Sequence, residues 1–245
     1  MKFLVFQHVD VEHPGVFREF WREGGVNWTT VSFEQGDPIP VDLGAYDALV
    51  VMGGPMDVWE TSEHQWLTAE IAAIRRFVVD LRKPYLGVCL GHQLLAHALG
   101  GEVATALAPE VGACAARLTA AAQLDALFEG LDSPLAVFQW HSCEVSRSPA
   151  GAVVLAQSDL CALQAFRWGS CAYGLQFHAE ITEETPEEWA SVPAYEQSLE
   201  RALGSGAVAR LSAETRELID SYRRTASLLS RNFIAVVESQ MAAVG

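Results

Sequence analysis

Short apolar runs alternate with amphipathic stretches over the first hundred residues of the chain. The apolar runs have the length and composition of strands that are buried on both faces. The stretches between them carry apolar residues three or four positions apart, which is the spacing of a helix with one buried face. Strands are predicted at residues 3–8, 28–33, 45–52 and 85–88, and helices at residues 16–22 and 64–81. This alternation predicts an α/β fold in which a parallel sheet is covered by helices on both faces.

The pattern changes after residue 101, where short apolar segments follow one another without long helices between them. Such segments are typical of antiparallel hairpins, so we expect a mixed sheet with a side hairpin. Strands are predicted at residues 102–107, 113–119, 135–141, 153–157, 163–168 and 172–177, with a short helix at residues 121–128.

Residues 181–245 carry a helical pattern. One helix is predicted to end near residue 203, where Gly204 and Gly206 interrupt the pattern, and a second is predicted to begin near Ser212. We therefore expect a domain at residues 1–181 and a helical C-terminal extension at residues 182–245. The extension is expected to pack on the same domain, or on a second copy of the chain in a homodimer, rather than to carry chemistry.

Composition narrows the class of function. A net charge of -15 over 245 residues repels nucleic acids and anionic membranes, so neither is expected as a partner. No apolar run is long enough to span a bilayer, and the apolar start is too short for a signal peptide, so a cytoplasmic enzyme is expected. The five cysteines are odd in number and none is spaced as Cys-x-x-Cys. No disulfide framework, metal site or cofactor is therefore expected.

Cys89 has the sequence context of a reactive cysteine. It follows the predicted strand at residues 85–88, is flanked by Gly87 and Gly91, and precedes a predicted helix at residues 92–99. A strand, a tight turn and a helix together form a nucleophile elbow, which exposes the sulfur at the carboxyl end of the sheet. The partial positive charge of the helix N-terminus favours the thiolate over the thiol.

A base and an acid for this nucleophile are found near residue 178. The last predicted strand delivers His178 to the same edge of the sheet, and Glu180 follows two residues later on the same side of the extended chain. Glu180 can then orient His178 toward Cys89. His141 ends another apolar strand and is a further candidate for the pocket wall, whereas His8, His13 and His64 have no supporting context.

A glycine-rich turn follows the strand at residues 45–52. Gly53, Gly54 and Pro55 stand at its carboxyl end, where backbone that lacks side chains can approach a ligand closely. An ordinary loop would explain the same residues. The order of the catalytic candidates, with the acid after the histidine, argues against an α/β-hydrolase, in which the acid comes first.

Three motifs together resemble the class I (triad) glutamine amidotransferase domain, in particular its free-standing members related to the glutaminase domain of GMP synthase. They are GVCLGHQLL at residues 87–95, MGGPM at residues 52–56 and QFHAE at residues 176–180. The resemblance covers about residues 2–181 and implies a flavodoxin-like, doubly wound fold with a mostly parallel mixed sheet.

The resemblance also implies roles for individual residues. Cys89 would be the nucleophile, His178 the general base and acid, and Glu180 the residue that orients it. The backbone N–H groups of Gly54 and Leu90 would form the oxyanion hole. Gln93 matches a position that helps to hold the glutamine substrate. Gly53 and His141, chosen from the sequence pattern, complete the predicted substrate-binding residues.

Two departures from the family pattern accompany these matches. His-Pro-Glu is replaced by His178-Ala179-Glu180, which leaves the triad intact. The motif Ser-His-Gly-Asp is replaced by Trp140-His141-Ser142-Cys143, so the usual acid is absent beside the site that holds the substrate's amino-acid head group.

The expected reaction is cleavage of the side-chain amide of glutamine, or of another γ-glutamyl bond, through a γ-glutamyl thioester. Glutamate is released together with ammonia or an amine. Either the ammonia is taken up by a separate synthase subunit, or the chain hydrolyses γ-glutamyl compounds on its own. A stress or redox protein with a similar cysteine elbow and no amidase activity is the alternative.

Overall fold

A computed structural model describes residues 1–244 of the chain. Within them one sheet is formed by β1 (Lys2–Gln7), β2 (Asn27–Ser32), β3 (Ala48–Val51), β4 (Tyr85–Val88), β5 (Glu102–Leu118), β6 (Leu135–Arg147), β7 (Val153–Gln157), β8 (Ala165–Trp168) and β9 (Ala172–Leu175). The helices are α1 (Phe17–Glu23), α2 (Gln65–Arg75), α3 (Leu90–Ala98), α4 (Thr185–Ala190), α5 (Pro193–Leu203) and α6 (Ala207–Val244), and a π-helical turn at Arg76–Asp80 continues α2.

The sheet has a parallel half and an antiparallel half. Its strand order is β2-β1-β3-β4-β9-β8-β7-β5-β6, in which the first five strands are parallel to one another and the later pairings are antiparallel. The parallel half has the strand order of flavodoxin-like doubly wound folds. The predicted α/β fold with a mixed sheet is thereby confirmed.

Two hydrophobic layers cover the parallel half, because successive residues of a strand point to opposite faces. Phe3 and Val5 pack with α1 and α6, whereas Leu4 and Phe6 pack with α2 and α3. All four side chains are fully buried, which explains why β1 carries no polar residue at these positions. Helices on both faces leave the carboxyl ends of the parallel strands as the open edge of the sheet, where functional residues of such folds are found.

The prediction of two strands at residues 102–107 and 113–119 is wrong, since both belong to the long strand β5. β5 pairs with β6 on both sides of a register shift between Thr105 and Glu110. Pro109 lies in this shift and lacks the N–H that a regular ladder requires. Pro109 in the sequence indicates that strand pairing is interrupted. The sequence does not show that the strand continues in the same direction beyond the interruption.

The predicted helix at residues 121–128 consists instead of two separate 3₁₀ turns, Ala122–Leu124 and Ala126–Phe128. Asp125 stands between them in an extended conformation, and its side chain accepts a hydrogen bond from the Leu127 N–H at 3.0 Å. Asp and Asn favour such local bonds over a continuous helix.

The C-terminal extension begins with two helices where one was predicted. Val192 is extended, as is usual for a residue before proline, and Pro193 then begins α5. α6 begins at Ala207, five residues before the predicted start, directly after Gly206 with a φ of 73°. α6 lies against the first strand, where Phe233 meets Phe3 edge to face with ring centroids 5.8 Å apart.

Candidate active site

Cys89 occupies a sharp turn between β4 and α3. Its φ of 50° and ψ of -104° are unusual for a residue with a side chain, and the strain is typical of a functional site. A Cβ at Gly87 would lie 2.4 Å from the Gly91 carbonyl, and a Cβ at Gly91 would lie 2.2 Å from the Val51 carbonyl oxygen. The two glycines therefore let the turn close tightly enough to hold Cys89 in this conformation.

His178 and Glu180 form a buried pair directly after β9. The His178 Nδ1 lies 2.7 Å from Glu180 Oε1, and Glu180 Oε2 accepts the Ala179 N–H at 2.9 Å. The second ring nitrogen of His178, Nε2, has no hydrogen-bond partner in the part of the chain that the structure describes. This nitrogen is free to exchange a proton with a neighbouring group.

The thiol of Cys89 and the imidazole of His178 act on each other electrostatically. Burial raises the pKa of the Cys89 thiol, and His178 opposes this shift without cancelling it. Burial alone would lower the pKa of His178, but Glu180 and Cys89 raise it well above its ordinary value. Formation of a thiolate in this site therefore depends on the imidazole beside it.

The loop after β3 is held by a second buried His–Glu pair. The His8 Nδ1 lies 2.7 Å from the Gly53 carbonyl oxygen, and its Nε2 lies 3.0 Å from Glu70 Oε1. Both partners are acceptors, so the ring can donate at both nitrogens only as an imidazolium. Burial lowers the pKa of His8, but Glu70 and the Gly53 carbonyl raise it overall. The pair fixes the backbone directly before Gly54.

The predicted oxyanion donors belong to this loop and to the elbow. Gly54 lines the same cleft as Cys89, and so does Leu90. Leu90 is the first residue of α3, so its N–H precedes the first intrahelical hydrogen bond and is available to a ligand. Gly53, by contrast, does not line the cleft: its carbonyl accepts from His8, and a Cβ there would lie 1.9 Å from Glu12 Oε2.

Glu12 is a buried carboxyl group that the sequence did not single out. It lies in the loop after β1, and its Oε1 accepts a hydrogen bond from the Tyr195 hydroxyl of α5. Burial raises the pKa of Glu12, and His178 and Tyr195 oppose that shift. Glu12 thus stands within the electrostatic reach of His178.

The C-terminal extension packs on residues 1–181 and covers the candidate site. Trp189 of α4 meets the His178 ring edge to face with centroids 4.6 Å apart, and its indole N–H donates to the Val11 carbonyl at 3.0 Å. The Val16 N–H donates to the Glu180 carbonyl at 2.7 Å, and a Cβ at Gly15 would lie 1.8 Å from that oxygen. The loop after β1 and the extension therefore enclose His178 and Glu180 together.

A cleft of about 320 Å³ opens beside Cys89 and is bounded by the loop after β3, by β6 and by α5. Gln93 and His141, the predicted substrate-binding residues, line it. The Gln93 Nε2 donates to the Cys143 carbonyl at 3.0 Å and to Gln176 Oε1 at 3.1 Å. His141 places Nδ1 2.9 Å from the Cys143 carbonyl and Nε2 3.2 Å from Glu110. The polar atoms of both side chains thus also hold the wall together.

Sequence patterns singled out Cys89, His178 and Glu180, and the structure brings them together. They missed Glu12, Glu70, Asp57, Trp189 and Tyr195, which also reach this region. Of these residues, Glu12 and Asp57 carried a signal in the sequence, because each lies in a loop that follows the carboxyl end of a parallel strand.

Two features are missing from residues 1–244. These residues contain no group of three or more His, Cys, Asp or Glu side chains arranged to hold a metal ion. They also contain no helix that is long and apolar enough to cross a bilayer.

Comparisons with a family model and with known proteins all indicate the same family. Residues 17–189 match the family described as Glutamine amidotransferase class-I. The glutamine amidotransferase-like protein YfeJ of Salmonella typhimurium is 31% identical over 191 residues, which cover 74% of this chain and 76% of the relative. One subunit of the glutamine-hydrolyzing GMP synthase of Saccharolobus solfataricus is 34% identical over 141 residues, covering 57% and 70%.

A solved structure agrees with these sequence relatives. A glutamine amidotransferase from Thermotoga maritima superposes with a TM-score of 0.83 at 27% identity and covers 95% of this chain and 98% of that one. The similarity to this structure therefore extends beyond the family match into the C-terminal helices.

Proposed function

Because the chain belongs to the class-I glutamine amidotransferase family, in which a cysteine hydrolyses the amide of glutamine, we propose that Cys89, His178 and Glu180 form its catalytic triad. The observation that carries the proposal is the His178–Glu180 contact of 2.7 Å, which leaves the second imidazole nitrogen without a partner among residues 1–244. The strained turn at Cys89 supports it independently.

The first half of the reaction is transfer of the γ-glutamyl group to the enzyme. His178 takes the proton of the Cys89 thiol, and the sulfur attacks the side-chain carbonyl carbon of glutamine or of another γ-glutamyl compound. The C=O π electrons move to oxygen, which the N–H groups of Gly54 and Leu90 stabilise. His178 then protonates the nitrogen, the C–N bond breaks, and ammonia or an amine leaves a γ-glutamyl thioester.

The second half is hydrolysis of that thioester. His178 removes a proton from water, whose oxygen attacks the same carbonyl carbon. The C–S bond breaks and glutamate leaves, with the proton returning to the sulfur. Glu180 keeps its hydrogen bond to Nδ1 throughout, so Nε2 is the nitrogen that accepts and donates the proton.

The loop that carries Gly54 is set in place before the substrate arrives. The contacts from Glu70 through His8 to the Gly53 carbonyl support this part of the proposal. Preorganised donors cost no rearrangement when charge develops on the oxygen. We also propose that residues 182–244 belong to the same functional unit as residues 1–181, because Trp189 and Tyr195 contact the site.

The fate of the ammonia separates two versions of this function. One of the relatives is named as a GMP synthase subunit, which suggests a partner that takes up ammonia. Steady glutamine hydrolysis by the isolated chain would favour a self-sufficient hydrolase of γ-glutamyl compounds. Hydrolysis that appears only in the presence of a synthase partner would favour the partnered enzyme.

The test is Cys89→Ala, assayed for release of glutamate from glutamine and a panel of γ-glutamyl amides. We expect complete loss of activity, with Cys114→Ala as the matched control that retains it. A glutamine-like electrophile should add its mass to Cys89 in the wild-type chain. Full retention of hydrolysis by Cys89→Ala would contradict the proposal. Oxidation of Cys89 in a chain without amidase activity would favour the alternative of a stress or redox protein.

A further inference from the structure

Asp57 is a carboxylate that lines the same cleft as Cys89 but has no part in the proposed triad. It follows the glycine-rich loop after β3. Its N–H donates to Glu60 Oε2 at 2.9 Å, and its carbonyl accepts the Glu60 N–H at 3.1 Å. These two bonds close a tight turn, so the position of the Asp57 side chain relative to Gly54 is set by the backbone.

Cys143 holds this carboxylate from the opposite wall of the cleft. Its sulfur donates a hydrogen bond to Asp57 Oδ1 at 3.0 Å. Burial and the neighbouring Asp57 raise the pKa of the Cys143 thiol to about 12, so Cys143 remains a donor at neutral pH. A carboxylate accepts several hydrogen bonds, so the bond from Cys143 orients Asp57 and leaves acceptor capacity for a ligand.

The charges of the cleft suit an amino-acid head group. Its lining includes the Asp57 carboxylate and, on α5, the guanidinium of Arg201. Within residues 1–244 the polar side-chain contact of Arg201 is with the neutral Gln197 oxygen, at 3.2 Å, and not with a carboxylate. One negative and one positive side chain in the same cleft match the two charges of a free α-amino acid.

We propose that Asp57 binds the α-ammonium group of the γ-glutamyl substrate and replaces the acid that is absent from position 143. The acid would then stand on the loop that carries Gly54 instead of the strand that carries Cys143, and the thiol of Cys143 orients it. The substrates are then γ-glutamyl compounds whose α-amino group is free and charged. This inference rests on the proposed amidase function.

The experiment compares two substrates in each variant. One is L-glutamine, and the other is the monoamide of glutaric acid, which has the same amide and carboxylate but lacks the α-amino group. Asp57→Asn keeps the shape of the side chain and removes its charge. We expect Asp57→Asn to lower kcat/KM for glutamine by about 10- to 100-fold, mainly by raising KM. The kcat/KM for the monoamide should change by less than about threefold.

Two further variants make the result specific. Asp57→Ser combined with Cys143→Asp returns the acid to the other wall and is expected to restore much of the preference for glutamine over the monoamide. Asp220→Asn, at an exposed position of α6, should leave both substrates unaffected. The ratio of the two substrates is measured within one variant, so partial loss of folded protein does not alter it.

The outcomes separate this inference from the function on which it rests. Equal losses on both substrates in Asp57→Asn would overturn the assignment of Asp57 while leaving the amidase intact. A wild-type chain that cleaves neither substrate and forms no adduct with a glutamine-like electrophile would overturn the amidase function, and the assignment of Asp57 with it.

Discussion

Two buried histidine–glutamate pairs lie on the same edge of the sheet and differ in one contact. In both, a ring nitrogen meets a carboxylate oxygen, at 2.7 Å for His178 and Glu180 and at 3.0 Å for His8 and Glu70. The other nitrogen of His8 is bound to the Gly53 carbonyl at 2.7 Å. The other nitrogen of His178 has no partner within the described residues.

A histidine–glutamate pair therefore does not by itself define a catalyst. His8 has both nitrogens committed to acceptors and can serve only to position the backbone beside Gly54. His178 keeps one nitrogen free of partners among residues 1–244, so it can move protons. His141 resembles His8, because its two nitrogens lie near the Cys143 carbonyl and Glu110. The second nitrogen, and not the carboxylate, distinguishes the proposed base from the structural pairs.

The largest effect is expected from His178→Asn, which removes the free nitrogen. We expect kcat/KM to fall by about 10²- to 10⁴-fold, the range for loss of a general acid–base group. Because His178 lowers the pKa of the Cys89 thiol against the effect of burial, alkylation of Cys89 should also shift to higher pH. An unchanged alkylation profile would contradict the proposed pairing of the two groups.

A smaller loss of activity is expected from His8→Gln, which disrupts the hydrogen bonds that link Glu70, His8 and the Gly53 carbonyl. Misplacement of a single oxyanion donor lowers kcat by about 10²-fold. Alkylation of Cys89 by a simple reagent such as iodoacetamide should keep its pH profile, because His8 does not share a proton with the sulfur. A His8 variant that shifts this profile as His178→Asn does would remove the distinction between the two pairs.

The smallest effect concerns stability and its dependence on pH. His8 has a folded-state pKa above its ordinary value, so its stabilising contact with Glu70 is fully present below about pH 6.5 and is lost as the pH rises through the folded-state pKa. Glu70→Gln should therefore lower the free energy of unfolding by about 1–3 kcal/mol at pH 6, and by less at higher pH. Denaturant unfolding at several pH values measures this difference.

The matched control for this stability measurement is Glu188→Gln. Glu188 lies 3.7 Å from His13 in a pair that is partly open to solvent, with 43% of the Glu188 side chain exposed. Exposed pairs contribute about 0–1 kcal/mol, so the variant should unfold much like the wild type at each pH. If the loss of unfolding free energy in Glu70→Gln grew with pH, the assignment of a positive charge to His8 would be contradicted.

The sequence was sufficient for those parts of the site that local patterns determine. Cys89 was predicted because a strand, two glycines and a helix adjoin it, and His178 and Glu180 because a spacing of two places them on one side of an extended chain. The parallel half of the sheet followed from its apolar runs. In each of these cases the deciding contacts lie within a few residues of one another.

Contacts between distant segments could not be predicted in the same way. Glu70 lies on the buried side of α2, where the helical pattern gives no reason for a carboxylate, and only the fold brings His8 to it. Asp57 follows Gly53, Gly54 and Pro55, which by themselves predict a loop, so the pattern gives no separate reason to assign a role to its carboxylate. The apolar stripe of the tail predicts a packed helix, but the sequence does not say which surface Trp189 or Tyr195 will cover.

The bond between Tyr195 and Glu12 joins residues 183 positions apart, and this has a consequence for how the enzyme is made. The ribosome extends the chain from its N-terminus, so a contact between two distant segments must wait until the second segment has been made. Strands β1 to β4 can form early. The pairing beside Cys89 needs β9 as well, and the cover over His178 needs α4 and α5. We expect a nascent chain to remain inactive until α4 and α5 have been synthesised and can cover His178.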